Sequence, residues 1–373
     1  MIRKLNLIIY YFVILGLSSI DAAPSGLIVT FENIPNRVRR DNPDLAAARF
    51  RIDEALGRMH QAGRRDNPEL EVGFEHNSNF REGSFEVGFS QRFPVTNRLR
   101  LEKDISTIEL RAAEAEIKEV ERRLIAEARS ALVEVLAYRQ QRSLRKKQVE
   151  VSRQLAEYTK KFSDKGERSP IDAGQTRLEA ARIAGSIRQL QASEVASVGK
   201  IKPLLGMRTT DVLNVSGDLP PAALPTGVVD PSRRPDFQAA KLEAQAAEQG
   251  VELEKARRYD DVEAGIVAGL ERSEDVPEGF ENEGIIGFRI KMALPFWNKN
   301  EGNIEAAQAR AKRKQKETVA LAHNIRHEAD TARKEMVQWR KMAGEITDSL
   351  LPLASQQAAA AEDAYRKGLG DLQ

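Results

Sequence analysis

Two histidines four residues apart are the pair in this sequence whose spacing is suited to a metal ion. His323 and His327 occupy positions i and i+4 of a predicted helix, which places both imidazoles on one face, and Glu328 follows directly. The order is not His-Glu-x-x-His, and no third ligand is evident in the sequence. Because exposed histidine pairs are common on helices, we predict no metal site.

Residues suited to catalysis are equally sparse. Carboxylates such as Glu114 and Glu116 occur on a predicted helix, where we expect a solvated face rather than an acid–base pair. No Ser/His/Asp arrangement and no phosphate-binding glycine loop is apparent in the 373 residues. The absence of cysteine excludes disulfides, thiol nucleophiles and thiolate metal ligands. The sequence therefore predicts a protein that is not an enzyme and needs no cofactor.

The charge balance and the N-terminus indicate an exported protein. The chain has 58 Lys and Arg against 56 Asp and Glu, a balance that argues against a nucleic-acid binder. Arg3 and Lys4 precede an apolar run from Leu5 to Leu17, and small residues up to Ala23 favour cleavage, so residues 1–22 are predicted to be a signal peptide. This run is shorter than the roughly 20 residues that span a bilayer, which disfavours an uncleaved anchor. No later run reaches 18 apolar residues, so a membrane crossing by the mature chain would require β-strands.

The rest of the sequence contains two copies of one unit. Four segments of the first copy match four segments of the second in the same order, at an offset of 192 residues that becomes 201 and then 202. The rise of nine lies between the two strands of a predicted hairpin, where we expect a loop to tolerate an insertion. The matched pairs are Asn42–Leu45 with Arg234–Phe237 and Leu70–Phe74 with Val262–Ile266 (offset 192), Phe85–Pro94 with Ile286–Pro295 (offset 201), and Lys165–Gly166 with Lys367–Gly368 (offset 202).

The repeat divides the mature chain into two copies and a linker. The first repeat covers residues 23–206, a Pro-rich linker covers 207–233, and the second repeat covers 234–373. Each copy opens with a helix and continues into a β-hairpin and a long helix. In the first copy, the predicted elements are a hairpin over 69–93, a long helix over 98–165 and a return helix over 170–205. In the second copy, they are a hairpin over 262–294 and a long helix over 303–367 that is kinked at Pro352. The return helix of the second copy is missing.

The predicted strands alternate apolar and polar residues, so each hairpin has an apolar and a polar face. A soluble sandwich would show the same alternation, but four strands are too few for a sandwich of their own. Four strands are also fewer than the roughly eight that close the smallest barrels. In a membrane, several chains would therefore have to share their strands, because an open edge leaves backbone groups unpaired in lipid. The apolar positions are Leu70, Val72, Phe74, Phe85, Val87, Phe89, Ile286, Phe288 and Ile290, and the polar positions are Glu71, Glu86, Arg289 and Lys291.

The predicted long helices exceed what a compact domain can cover. No Pro or Gly occurs from Arg98 to Lys165, and apolar or small residues recur there at steps of three and four. A continuous helix over this stretch would be about 100 Å long. Such a helix is typical of a coiled coil or an α-helical barrel.

Several segments carry a resemblance to a known family. The segments after the second hairpin, Leu294–Ala307, and near the end, Leu350–Leu353 and Ala364–Gly368, are similar to TolC-like outer-membrane efflux proteins, particularly those of heavy-metal resistance pumps. Phe93–Arg100 looks like the counterpart in the first copy. The resemblance covers roughly residues 40–373.

This resemblance implies a fold, partners and site residues. It implies a homotrimer in which each chain contributes four strands to a twelve-stranded barrel in the outer membrane, continued by an α-helical barrel in the periplasm. The implied function is the passive exit duct of a tripartite efflux system, with a periplasmic adaptor and an inner-membrane pump as partners. The apolar strand positions would face outer-membrane lipid, and Glu71, Glu86, Arg289 and Lys291 would line the lumen. The tips that contact the adaptor would fall on Gly166, Arg168, Ser169, Gly368 and Leu369.

Two alternatives stay open at the level of sequence. One is an exported periplasmic coiled-coil scaffold without channel activity, in which the short hairpins pack on helices. The other is an exported enzyme with an unrecognised site. The sequence does not name the transported substrate.

Overall fold

In the part that the structure describes, the chain is mainly helical and has two small sheets. A computed structural model describes residues 27–78, 81–167, 169–275, 277 and 279–366. The described chain forms two compact units, one of residues 27–37 and 128–219 and the other of residues 38–127 and 220–366. The predicted signal peptide lies outside the described residues. The helices are α1 (Ile34–Asp41), α2 (Pro43–Gln61), α3 (Arg98–Asp164), α4 (Pro170–Leu204), α5 (Pro235–Ala256), α6 (Glu301–Glu345) and α7 (Leu351–Arg366).

The first unit contains the second part of α3, all of α4 and a two-stranded parallel sheet. The strands β1 (Leu27–Val29) and β4 (Leu213–Val215) pair in that sheet, and neither was predicted from the sequence. Gly166 has a φ of 77°, which lets the chain leave α3, and the Ser169 hydroxyl accepts a hydrogen bond from the Ile171 N–H to cap α4. The apolar core includes Val29, Leu132, Val135, Ile201 and Val215.

A buried carboxylate ties three elements of the first unit together. Glu194 of α4 is only 9% exposed and accepts hydrogen bonds from Arg139 Nε at 2.7 Å and Arg142 Nη1 at 2.6 Å, both on α3. Arg139 also donates to the Val215 carbonyl of β4 at 2.5 Å. Charge-assisted bonds of this kind are stronger than neutral ones, so the cluster fixes α3, α4 and β4 against one another.

The second unit packs α5 along α6. Asn42 caps α2 in this unit, where its buried side chain accepts a hydrogen bond from the Leu45 N–H at 2.7 Å and Pro43 takes the first helical position. At the start of α6, the Asn300 side chain donates to the Glu254 carbonyl of α5 at 2.8 Å. Further along, Lys314 Nζ lies 2.5 Å from Glu243 Oε2 and joins the same two helices.

The second long helix contains a wide turn. The sequence predicts a kink at Pro352, and the structure shows a π-helical turn over Ile346–Leu350 between α6 and α7. Its hydrogen bond runs from the Leu351 N–H to the Ile346 carbonyl, five residues back. Proline has no N–H, and its ring clashes with the carbonyl four residues before it, so a wider turn just ahead of Pro352 accommodates the ring within the helix.

The second sheet has four antiparallel strands in the order β2-β3-β5-β6, all in the second unit. Pairing of β3 with β5 joins the hairpins of the two repeats into one sheet. The nine extra residues of the second hairpin do not enlarge its loop, contrary to expectation: they lengthen the strands, and residues 276–278 alone separate β5 from β6. The strands are β2 (Glu69–His76), β3 (Gly83–Phe93), β5 (Val262–Asp275) and β6 (Gly279–Lys291).

The observed ends of the elements differ from the predicted ends by a few residues. The long helix α3 and the return helix α4 each end one residue earlier, α6 begins two residues earlier, and β6 ends three residues earlier. The compact units cut across the repeats, because α3 contributes to both. Across the residues that the structure covers, we find no helix with both the length and the apolarity to cross a bilayer.

Candidate functional site

The strand register of the four-stranded sheet gathers apolar side chains on one face. Residues paired across neighbouring strands share a face, and one such row consists of Leu70, Phe89, Ile266 and Phe288. The next row contains the paired residues Val72, Val87, Ala268 and Ile286. The remaining predicted lipid-facing residues, Phe74, Phe85 and Ile290, lie on this same face.

The apolar face is uncovered in the single chain. Phe288 is 86% exposed and Ile286 is 82% exposed. On β5 the face extends from Val262 to Leu270, about 27 Å along the strand at 3.4 Å per residue. On a strand tilted by about 40°, this stretch would span roughly 20 Å of membrane, somewhat less than the apolar band of about 25 Å found on membrane barrels. A face this large is unusual on a soluble monomer and indicates a contact with lipid or protein.

The opposite face of the sheet is charged. The predicted lumen residues Glu71, Glu86, Arg289 and Lys291 all lie on it. Arg289 Nη1 of β6 comes within 3.6 Å of Glu71 Oε2 of β2, although two strands lie between them. The two long side chains meet because the strands between them carry small residues, Gly88 and Gly265 among them, at these positions of this face. Both partners are exposed, so this ion pair contributes little to stability.

Glycines on the charged face permit close contact between strands. A Cβ added at Gly265 would lie 2.9 Å from the Phe89 carbonyl oxygen. A Cβ added to Gly269 would lie equally close to the Phe85 carbonyl oxygen. By contrast, nothing lies within 4 Å of the position of a Cβ at Gly287. The strand β5 therefore requires glycine at two positions, for a steric reason.

Aromatic residues mark both ends of the apolar face. At the hairpin end, the Phe280 ring contacts two guanidinium groups, with the carbons of Arg272 and Arg81 at 4.6 and 5.9 Å from the ring centroid. Just beyond the other end, Phe296 and Trp297 are 68% and 96% exposed and meet edge to face. Aromatic residues in such positions are typical of the two interfaces of a membrane barrel.

The apolar face extends along β5 beyond the residues predicted to face lipid. It also includes Val262, Ile266 and Leu270. Val262 and Ile266 fit the alternation predicted for the second hairpin, and continued alternation within β5 was the signal that could have identified Leu270. The contacts of Phe280 had no such signal, because its partner Arg81 belongs to the other repeat.

The predicted adaptor-contact residues are only partly described. Gly166 lies in the turn after α3, and Ser169 caps α4. Arg168, Gly368 and Leu369 lie outside the described residues. The contact of all five residues with an adaptor stays a prediction.

Glu116, in the part of α3 that belongs to the second unit, has a raised pKa. Glu114 is exposed, as expected of a solvated face, but Glu116 is half-buried. Burial raises the pKa of Glu116, and the nearby carboxylate of Glu243 raises it further, while Arg51 and Lys314 act in the opposite direction. The expectation of a fully solvated face was wrong at this position, because side chains of α5 and α6 reach it.

Comparison with known proteins identifies the family that this chain resembles. The sequence profile of the family described as "Outer membrane efflux protein" matches residues 34–206. Over these residues the chain is similar to outer membrane efflux proteins. The family resemblance inferred from the sequence is thereby confirmed.

The chain is also similar to one curated protein and to several solved structures. The "Cobalt-zinc-cadmium resistance protein CzcC" of Cupriavidus metallidurans is 22% identical over 347 residues, which cover 91% of this chain and 80% of that protein. Among solved structures, CusC superposes with a TM-score of 0.71 at 17% identity, over 91% of this chain and 83% of CusC. The outer membrane protein VceC of Vibrio cholerae superposes with a TM-score of 0.69 at 20% identity, over 91% of this chain and 87% of VceC. At these identities the structures establish a shared fold.

Proposed function

We propose that this protein is the outer-membrane channel of an efflux system. The observation that carries the proposal is the four-stranded sheet with one uncovered apolar face and one charged face. In a bilayer the apolar face would contact lipid and the charged face would line water. The similarity to outer membrane efflux proteins over residues 34–206 supports this role.

Closure of the sheet requires other copies of the chain. The strands β2 and β6 lie at the two edges of the sheet and would leave backbone groups unpaired in lipid. Strand directions alternate along the sheet, so β6 of one copy can pair antiparallel with β2 of the next. Three copies arranged head to tail would supply twelve strands, and the family resemblance favours this number.

The channel would act passively. Glu71, Glu86, Arg289 and Lys291 would set the charge of the lumen. Energy would come from an inner-membrane pump, and a periplasmic adaptor would contact the helical tips near Gly166 and Ser169. The protein would thus span the outer membrane and extend into the periplasm. Because its relative CzcC is named for resistance to cobalt, zinc and cadmium, these cations are the cargo to test first.

Conductance in planar lipid bilayers tests the proposal. The purified chain should produce stable conductance steps, and Lys291→Glu should shift the reversal potential in a salt gradient toward cation selectivity. Lys291→Arg is the matched control, since it keeps the charge and should leave the reversal potential unchanged. A chain that stays monomeric without detergent and never conducts would refute the channel and favour the periplasmic scaffold.

A further inference from the structure

The imidazole rings of the two histidines of α6 lie close enough together to bind one metal ion jointly. His323 and His327 are both exposed, and their Nε2 atoms lie 3.2 Å apart. The ring centroids are 4.3 Å apart. Among the residues described, these two rings bring nitrogen atoms into direct contact. Sequence spacing alone gave the shared face, whereas the structure adds the convergence of the two nitrogens.

The separation of the two nitrogens matches the bite of a transition-metal ion. Zinc binds imidazole nitrogen at about 2.0–2.1 Å. Two nitrogens that distance from one ion and 3.2 Å from each other subtend an angle of about 103° at the ion. This angle lies between the octahedral value and the tetrahedral value. Both rings could therefore bind one ion once the two Nε2 atoms are unprotonated, with each ring keeping its proton on Nδ1.

The charged groups around the pair are engaged with one another. Asp330 Oδ2 lies 2.6 Å from Lys334 Nζ, and Glu328 Oε2 lies 3.4 Å from Arg234 Nη1. Within the described part of the chain, no third His, Cys, Asp or Glu joins the pair to complete a metal-binding group. Water would therefore fill the remaining coordination positions, which makes the site weak and rapidly exchanging.

We propose that His323 and His327 together bind one divalent transition-metal ion of the zinc type. Imidazole nitrogen suits Zn²⁺, Cu²⁺ and Ni²⁺, and it does not suit Mg²⁺ or Ca²⁺, which prefer oxygen. The sequence argued against a site because it offers no third ligand; a two-ligand site completed by water does not need one. This binding is independent of channel activity, because it can be measured on the protein without any conductance.

Calorimetric titration of the purified full chain with zinc chloride tests the site. The protein should be in detergent and carry no polyhistidine tag. We expect one Zn²⁺ per chain, with binding weakened about tenfold or more in His323→Gln, because a chelate loses the advantage of its second ligand. His327→Gln should have the same effect. Magnesium chloride should give no comparable binding.

Two further variants make the result specific. The double variant Ala322→His with His323→Ala keeps the composition but separates the imidazoles by five positions, about 140° around the helix, and should weaken binding as much as His323→Gln. His60→Gln removes an exposed histidine from α2 and should leave binding unchanged. Equal zinc affinity in the wild type and in His323→Gln would overturn the proposal, as would absence of binding to the wild type at millimolar zinc.

Discussion

Two adjacent isoleucines allow a matched test of which face of the sheet meets lipid. Ile285 and Ile286 are neighbours on β6, and their side chains point to opposite faces. Ile286 lies on the apolar face and is 82% exposed, whereas Ile285 lies on the charged face and is 41% exposed. The variants Ile286→Arg and Ile285→Arg make the same chemical change one residue apart.

The expected cost follows from the position of Ile286 in the apolar face. Its row is next to the row of Phe288, which lies at the middle of the stretch from Val262 to Leu270, so Ile286 is about 7 Å along the strand from the centre. Arginine on the lipid face costs about 2–4 kcal/mol at the midplane and about 0–1 near the interfaces. We therefore expect Ile286→Arg to cost about 2–3 kcal/mol per chain, or roughly 30- to 160-fold in the folding equilibrium. Ile285→Arg should cost far less, because its side chain would meet water.

Denaturant titration of protein folded into lipid vesicles measures this difference. Tryptophan fluorescence reports on the transition, since Trp297 lies just beyond the end of the apolar face. A low midpoint for Ile286→Arg and a near wild-type midpoint for Ile285→Arg would support the assignment. Equal midpoints for the two variants would refute the reasoning, and a larger loss for Ile285→Arg would reverse the assignment of the faces.

Three further predictions concern stability. Glu194→Gln should lower the free energy of unfolding by about 2 kcal/mol, because it weakens two charge-assisted bonds to partly exposed arginines. The control Glu179→Gln, on the same helix, removes an exposed ion pair and should change the free energy of unfolding by less than about 0.5 kcal/mol. Thermal denaturation followed by circular dichroism measures both variants. Gly265→Ala should cost about 1–3 kcal/mol in the vesicle assay because its Cβ would press on a carbonyl oxygen, whereas Gly287→Ala should be nearly neutral. Burial and then a neighbouring carboxylate raise the pKa of Glu116, so the stabilising contribution of this side chain is present at acid pH and is lost as the pH rises through the raised pKa. Glu116→Gln should therefore raise the unfolding midpoint at pH 7. The same variant should reduce the decrease in the midpoint between acid and neutral pH.

Each of these predictions has a clear contrary result. An equal loss of thermal stability in Glu194→Gln and Glu179→Gln would show that the hydrogen bonds of Glu194 contribute no more than a surface ion pair. Equal tolerance of alanine at the two glycines would show that β5 can shift to accept a side chain. An unchanged pH profile in Glu116→Gln would mean that this carboxyl titrates as it does in the unfolded chain.

Local sequence patterns predicted the elements well because the chemistry that specifies them is local. The absence of Pro and Gly through α3 allowed one helix, and Gly166 and Ser169 marked its end and the next start. Period-two alternation correctly separated the predicted apolar residues of the sheet from the predicted polar ones, which lie on opposite faces. The function of each face still depends on the environment of the sheet, which a single chain does not contain.

Features that join distant segments could not be predicted in the same way. The pairing of β1 with β4 brings together strands of three residues, too short for a periodic pattern. The burial of Glu116 depends on α5 and α6, which are at least 119 residues away in the sequence. The contact of Phe280 with Arg81 crosses from one repeat to the other. In all three cases the deciding interactions are tertiary, and no window of sequence contains both partners.

The wide turn of the second long helix also explains a discrepancy between the two repeats. The offset between matching segments is 201 residues just before this helix and 202 at its far end, so the second copy has gained one residue along the way. A π turn closes its hydrogen bond over one residue more than an α turn, so it can take up a single inserted residue without ending the helix. Without it, one added residue would rotate every later side chain by about 100° about the axis. If the added residue lies in the turn over Ile346–Leu350, the distal part of the helix keeps the phase of its counterpart, and deletion of one residue there should give a regular helix of the same phase.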